Sequence, residues 1–417
     1  MSLIKNSVYN LAGFAIPTLI AVPALGFLAR VIGVEAFGIF TLAFAIVGYA
    51  SIFDAGLSRA VIREVSMYRA DNAEQKKIVS TASSVVFILG VIAALLLYIS
   101  TPHLGSLLKV SVKNTQEVRQ SFALLALVIP LYLLNQVWLG WLEGHEKFLN
   151  INIQKTISNS AIAGFPALFC LFEASLKSAI LGLILGRVIS FLITLVICRK
   201  IIFGSGVKFY KETFSRLVKF GGWLTVSNII SPLMVYCDRF IISNLLGANK
   251  IAYYTAPSEG VGRLLNIPAA LSRALFPKLS YAKTLEERKK LEKLSFVLMS
   301  VACVPVVIVC LLFAQQLMTL WMGAELGEHS ANILKILIIG FYMNSIAQIP
   351  YSSIQALGWA KITAFIHMCE IVPYLLALYL LTLHYGLLGT AIAWTARMTF
   401  DAAVLIYFSR KIVKLKY

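Results

Sequence analysis

The chain has 417 residues, 59% of them hydrophobic and 13% charged, with a formal net charge of +18. Soluble domains run at about 45–50% apolar and roughly 25% charged, and one water-soluble core cannot hide this much apolar surface. The composition, with a mean hydropathy of +0.82, excludes an ordinary soluble enzyme, a secreted disulfide scaffold and a nucleic-acid-binding module; it points to an all-α integral membrane protein with the bilayer as its main solvent.

A spanning helix needs about 20 mostly apolar residues. In chain order, twelve stretches meet that requirement: 8–29, 36–57, 79–100, 121–142, 151–172, 178–198, 220–246, 253–277, 294–316, 331–357, 362–383 and 388–408. Only Lys5 is basic ahead of the first span and no small-residue cleavage site stands out, so span 1 is expected to be retained rather than removed as a signal peptide. With the N-terminus in the cytoplasm, 25 of the 37 basic residues fall in cytoplasmic segments, 6 outside and 6 within spans. Basic residues accumulate on the cytoplasmic side, so both termini are placed there. The same asymmetry accounts for the positive charge without a nucleic-acid partner. Cys170, Cys198, Cys237, Cys303, Cys310 and Cys369 lie in or beside apolar stretches without CxxC spacing, which suits small buried hydrophobes better than disulfides or a metal site. The loops are short and no GxxxxGK[ST] occurs, so no nucleotide cofactor is expected.

The basic loop 199–219 divides the chain into two lobes of six spans, residues 1–206 and 207–417. A shift of 214 residues aligns Lys5 with Lys219, Ile16 with Ile230, Leu19 with Leu233, Gly33 with Gly247, Thr41 with Thr255 and Gly48 with Gly262. Tyr9 and Trp223 coincide as interfacial aromatics. Both halves also end alike, with Arg187 before Arg199-Lys200-Ile201 and Arg397 before Arg410-Lys411-Ile412. Six-span repeats have parallel topology and an axis along the membrane normal, a transporter plan with the substrate path between the halves.

A charge at mid-bilayer costs about 2.5–3.5 kcal/mol on insertion scales, so embedded charges are candidate functional groups. They are Arg187, Arg239, Arg263, Arg273, Lys335 and Arg397, with Asp54, Asp238, Glu259, Glu370 and Asp401. Glu259 and Arg263 are four apart and can pair, as can Arg397 and Asp401. Asp238 and Arg239 are adjacent, so each needs a partner elsewhere. Arg239, Arg263 and Arg273, with Asp238 and Glu259 among them, either bind an anionic head group through planar guanidinium forks or act as ion-paired struts. Glu370 has no basic residue within one turn, and His367 shares its face. The pair either carries a coupling cation or holds a protonated, structural carboxyl. Asp54 caps the end of its helix or pairs with Arg59. Ser227, Asn228 and Ser231 of span 7, and Asn344, Ser345, Gln348, Ser352, Ser353 and Gln355 of span 10, either line a wet path or glue helices together. Trp138 and Trp141 either stack on sugar or anchor at the interface.

Three stretches carry a resemblance: 31–66, 220–280, and span 10 leading into IQALGWAKI at 354–362. The most specific part is Asp-Arg-Phe-Ile-Ile-Ser at 238–243, followed by Gly247 and Tyr253-Tyr254. The chain resembles the polysaccharide transporter family over essentially its whole length, most closely the Wzx-type O-antigen flippases. The resemblance implies a twelve-helix, two-lobed fold shared with multidrug exporters, in a bacterial inner membrane. It implies flipping of an oligosaccharide on undecaprenyl diphosphate from the cytoplasmic to the periplasmic leaflet in lipopolysaccharide biosynthesis. Alternating access would be driven by a coupling cation, proton or sodium, beside an O-antigen polymerase and chain-length regulator. Lipid II flippases carry arginines in their first two helices, whereas span 1 here has only Arg30 at its outer end, which moves the expected phosphate site to spans 7 and 8. The competing readings are a drug/cation antiporter of the same fold, which would want more embedded acids in the first lobe than Asp54, and a polysaccharide-modifying membrane enzyme, for which the outer loop 101–120 is poorly furnished.

Overall fold

A computed structural model describes residues 3–281 and 284–416, and these contain helices and no strand. The helices are α1 (Leu3–Val31), α2 (Val34–Ala50), α3 (Leu57–Met67), α4 (Asn72–Leu107), α5 (Val112–Ala126), α6 (Val128–Gly144), α7 (Phe148–Cys170), α8 (Leu176–Ser205), α9 (Lys211–Leu246), α10 (Ile251–Leu264), α11 (Asn266–Tyr281), α12 (Leu285–Met322), α13 (Ala324–Ala356) and α14 (Ala360–Lys416). Helices satisfy their own backbone groups, which a bilayer cannot do for them. Seven stretches of the described residues are helical, long and apolar enough to cross a membrane, among them Asn72–Leu107, Leu176–Ser205 and Leu285–Met322.

The longest helix is not one span. At about 1.5 Å per residue a straight helix of α14's length would far exceed a hydrocarbon core of about 30 Å. Gly386 interrupts it with φ 60 and ψ −140, a backbone region open essentially to glycine. The hydroxyls of Thr382 and Thr390 then lie 2.9 Å apart, where eight residues of continuous helix would separate them by about 12 Å. α14 is therefore a hairpin of two antiparallel arms.

Helix boundaries recur in the two halves of the chain. Gly33 after α1 and Gly247 after α9 have φ of 83 and 97. Asp71 caps α4 by accepting from the Ala73 and Glu74 backbone, and Thr284 caps α12 by accepting from Glu287. Positive φ occurs at Glu146 ahead of α7 and at Gly358 ahead of α14. The break between α2 and α3 has its counterpart between α10 and α11.

The chain forms two compact units, Met1–Asn249 and Lys250–Tyr417. In the first, α4 packs on α5, α6 and α8, α7 packs on α8 and α1, and α9 packs on α2, α3 and α4. One apolar cluster in it joins Leu57, Val61, Ile78, Val86, Leu133, Val137 and Leu142. The α7–α8 contact depends on small residues, as expected where no hydrophobic drive exists between helices in lipid. A Cβ on Gly182 would stand 2.5 Å from the Phe165 carbonyl oxygen, and one on Gly186 would stand 2.7 Å from Ile162 Cα. In the second unit, α13 packs on α10, α11, α12 and α14.

Gly186→Leu should push α7 and α8 apart and destabilise the protein by about 1–3 kcal/mol. A Cβ on Gly262, inside α10, meets nothing within 4 Å, so Gly262→Ala should leave the protein as stable or more stable by up to about 1 kcal/mol. Thermal melts of the detergent-solubilised protein check both.

Candidate functional site

The α14 hairpin assembles a charged cluster from residues distant in sequence. Glu370 and His367 share a face of its first arm; Arg397 and Asp401 are one turn apart on its second. The expected Arg397–Asp401 pair is replaced by cross-arm pairing. Arg397 Nε lies 3.6 Å from Glu370 Oε2, and His367 Nε2 lies 3.4 Å from Asp401 Oδ1. The arms face each other here, so a side chain meets its opposite number more readily than one a turn away along its own helix. Glu370 and Asp401 are themselves electrostatic neighbours. The Arg397 guanidinium sits 5.1 Å from the Tyr374 ring centre, a cation–π contact. Tyr351 of α13 stacks on His367 with centroids 5.9 Å apart and planes at 11°. A cavity of about 460 Å³ adjoins the cluster, its walls including Glu370, Arg397, Phe365, Cys369, Pro373 and Phe400.

On α9, Asp238 and Arg239 are both buried. Asp238 Oδ1 accepts from the Arg239 backbone N–H at 2.7 Å. Arg239 Nη1 donates to the Thr41 carbonyl at 2.7 Å, and its guanidinium lies 5.4 Å from the Tyr236 ring centre. Within the first unit, Arg239 thus ties α9 to the backbone of α2.

Glu259 and Arg263 on α10 are half-buried. No salt bridge joins them among the described residues. Arg263 instead occupies the last turn of α10, where a cation suits the negative end of the helix dipole, and its carbonyl accepts from Asn266 Nδ2 at 3.1 Å. The side chains of Arg273, Ser227, Asn228, Ser231, Tyr9 and Trp223 lie outside the described residues.

Asp54 caps α3: its oxygens accept from the Ser58 backbone N–H, both at 3.2 Å, and from the Ser58 hydroxyl at 2.8 Å. Trp138 and Trp141 are buried rather than offered to a sugar; their indole N–H groups donate to Ser83 Oγ and Gln75 Oε1. Arg187 lies over Tyr132 at 5.0 Å, and Lys335 is exposed.

Two arginines that read as ordinary loop charges prove structural. Arg288 is 1% exposed. It donates to the Leu279 carbonyl at 3.2 Å and to the Ser353 carbonyl and hydroxyl at 2.6 and 2.8 Å, holding the ends of α11 and α13 together. Its neighbour Glu292, four residues on, was the available sequence signal. In the first unit, Arg216 donates to Glu74 Oε2 at 2.8 Å and lies 3.4 Å from the buried Glu64, joining α9 to α3 and α4. Ser80 fixes the preceding connection by donating to the Lys208 carbonyl and accepting its N–H, both at 2.7 Å.

Residues 3–283 match the family model described as polysaccharide biosynthesis protein. The chain belongs to that family. A Shigella flexneri protein named as an O-antigen transporter is 51% identical over 405 residues, covering 97% of each chain. A Yersinia pseudotuberculosis protein named as an O-antigen export protein is 24% identical, covering 62% of this chain and 60% of its own length. Among solved structures, an inward-facing multidrug resistance transporter of the MATE family superposes with a TM-score of 0.76 at 17% identity, covering all of this chain and 96% of its own. That likeness establishes the fold of this member of the polysaccharide biosynthesis family, a multi-pass membrane protein.

Arg288→Ala should lower stability by about 1–3 kcal/mol, because it leaves buried carbonyls without a donor. Lys289→Ala, at the exposed neighbouring position, should stay within about 0.5 kcal/mol. The two melting temperatures make the comparison.

Proposed function

We propose that this protein is a flippase that carries undecaprenyl-diphosphate-linked O-antigen oligosaccharide from the cytoplasmic to the periplasmic leaflet of the bacterial inner membrane. The observation that carries the reading is the 51% identity over 97% of the chain to a protein named as an O-antigen transporter. The MATE-like fold supports a transporter rather than an enzyme. Twelve spans with both termini cytoplasmic remain our assignment. The α14 hairpin supports it by supplying two spans; α1, α2 with its 3-10 turn, α4, α5–α6, α7, α8, α9, α10–α11, α12 and α13 supply the others. The recurrent helix boundaries favour six-helix lobes at 1–206 and 207–417.

In this reading the substrate is an amphiphile with a dianionic head, a polar sugar and an isoprenoid tail. Arg239, Arg263 and Arg273 engage the diphosphate, balanced by Asp238 and Glu259. Glu370 and His367 belong to the site of the coupling cation. Membrane lipids surround the chain, and the polymerase and chain-length regulator receive its product.

A strain lacking this gene should lose the long-chain lipopolysaccharide ladder and accumulate lipid-linked repeat units facing the cytoplasm; an unchanged ladder would overturn the assignment. Arg239→Gln removes the charge and, with its shorter side chain, the bond to the Thr41 carbonyl. It and Arg263→Ala should each cut ladder formation at least about tenfold at equal protein level. Normal ladders from both variants would remove these arginines from the substrate site.

A further inference from the structure

We propose that a cavity between α4, α6 and the end of α8 binds one anionic phospholipid of the cytoplasmic leaflet. Its acyl chain lies between the helices and its phosphate among Lys76, Lys200 and Lys208. The choice of leaflet rests on the topology assigned above; nothing in the proposal depends on what the protein transports.

A space of about 440 Å³ is enclosed by Val79, Ser83 and Phe87 of α4, Trp138 of α6, Phe203 of α8 and Gly206 just beyond it. That volume falls within the range of about 300–1,000 Å³ usual for ligand pockets. From Val79 to Phe87 the helix rises by about 12 Å, so the space is elongated enough for a stretch of acyl chain. Its floor is fixed in advance. Ser80 holds the Lys208 backbone by both donating and accepting at 2.7 Å, and Thr81 Oγ1 accepts from the Tyr210 N–H at 3.2 Å. The connection after α8 is thereby tied to α4. Phe87 and Phe203 are exposed on helices that are long and apolar enough to cross a membrane, so what enters between them comes from the bilayer.

The lining is not that of a face meeting bulk lipid tails. α12 shows what such a face carries: Leu294, Val297, Leu298 and Val301, each at least half exposed. On α4 the cavity instead meets Ser80, Ser83 and Ser84, which share one side of the helix. Ser80 and Ser84 donate to carbonyls of the protein. Ser83 Oγ accepts from the Trp138 indole at 3.1 Å, and its own proton meets no acceptor among the described residues. A hydroxyl can donate and accept together, so an ester or phosphate oxygen suits Ser83.

Charge selects the head group. Residues 199–211 include Arg199, Lys200, Lys208 and Lys211 and no acidic residue. Lys200 lies one turn before Phe203 and Gly204 on the same helix face. Lys76 reaches the same place from α4: a Cβ on Gly204 would stand 3.8 Å from its Nζ. The neighbouring carboxylate Glu74 is already taken, by Lys77 at 2.7 Å and Arg216 at 2.8 Å. Among the described residues no carboxylate pairs with Lys76, Lys200 or Lys208. Cations therefore crowd one end of the cavity while hydrocarbon lines the other. An amphiphile with a net negative head complements that arrangement, whereas a zwitterionic one brings its own cation against the lysines.

The test uses the purified full-length protein. In native mass spectrometry one dioleoyl phosphatidylglycerol per chain should be retained, at least tenfold more tightly than phosphatidylcholine. Lys76→Ala combined with Lys208→Ala, both at exposed positions, should weaken that binding at least tenfold, since each cation near a membrane surface contributes about fivefold. Phosphatidylglycerol brominated in its chains, added to phosphatidylcholine nanodiscs, should quench tryptophan fluorescence more than brominated phosphatidylcholine does. Trp138→Phe should abolish that difference, because Trp138 is buried against the cavity. If Trp138→Phe fails to fold, the lysine variant read by the same quenching still decides the case. Equal retention of the two lipids, a preference unchanged in the lysine variant, or extra quenching that persists in folded Trp138→Phe would overturn the site. Displacement of phosphatidylglycerol by a lower concentration of undecaprenyl phosphate would overturn the phospholipid assignment and give the cavity to the lipid carrier.

Discussion

A chain that crosses lipid loses the water that would satisfy its backbone and its charges, and every feature of this protein follows from that loss. Backbone groups are satisfied within helices. Helix ends are closed by Asp71 and Thr284 side chains or by arginines reaching across to carbonyls, as Arg288 does at Leu279 and Ser353. Tight approaches are made with glycine, as at Gly182 and Gly186. Charges that remain inside are held against aromatic rings or against one another, as Arg239 is with Tyr236 and Arg397 with Glu370.

The charged groups that meet inside the protein differ in how they are held. Arg288 and Arg216 form short, multiple bonds at helix ends and have the chemistry of fasteners. In the α14 cluster two carboxyls share one guanidinium, and the pairs are 3.6 and 3.4 Å long.

Much of the architecture was legible in advance because it depends on composition and period. Apolar runs predicted membrane helices, and Gly33 and Gly247, which the 214-residue shift aligns, both stand at positive φ after a helix. Asp54 was expected to cap the end of its own helix or to pair with Arg59, and it instead accepts from Ser58 at the start of the next helix. Pairing was less legible. Spacing favoured Glu259 with Arg263 and Arg397 with Asp401, yet neither pair forms among the described residues. A helix-periodic rule sees only neighbours on the same helix, whereas the Gly386 reversal brings the second arm closer to Glu370 than its own chain does. The roles of Arg288 and Arg216 were hidden for a related reason: a basic residue in a cytoplasmic segment looks the same whether it meets water or a helix end.

The sequence by itself determined that this chain lives in a membrane, that it is helical, that its two halves share a plan, and which family it resembles. Those properties are written in local hydrophobicity, in glycine and proline positions, and in the distribution of lysine and arginine. Tertiary structure alone decided which charges meet. Electrostatic partnership depends on distances of a few ångströms between residues such as 370 and 397, set by a turn whose direction no periodicity encodes.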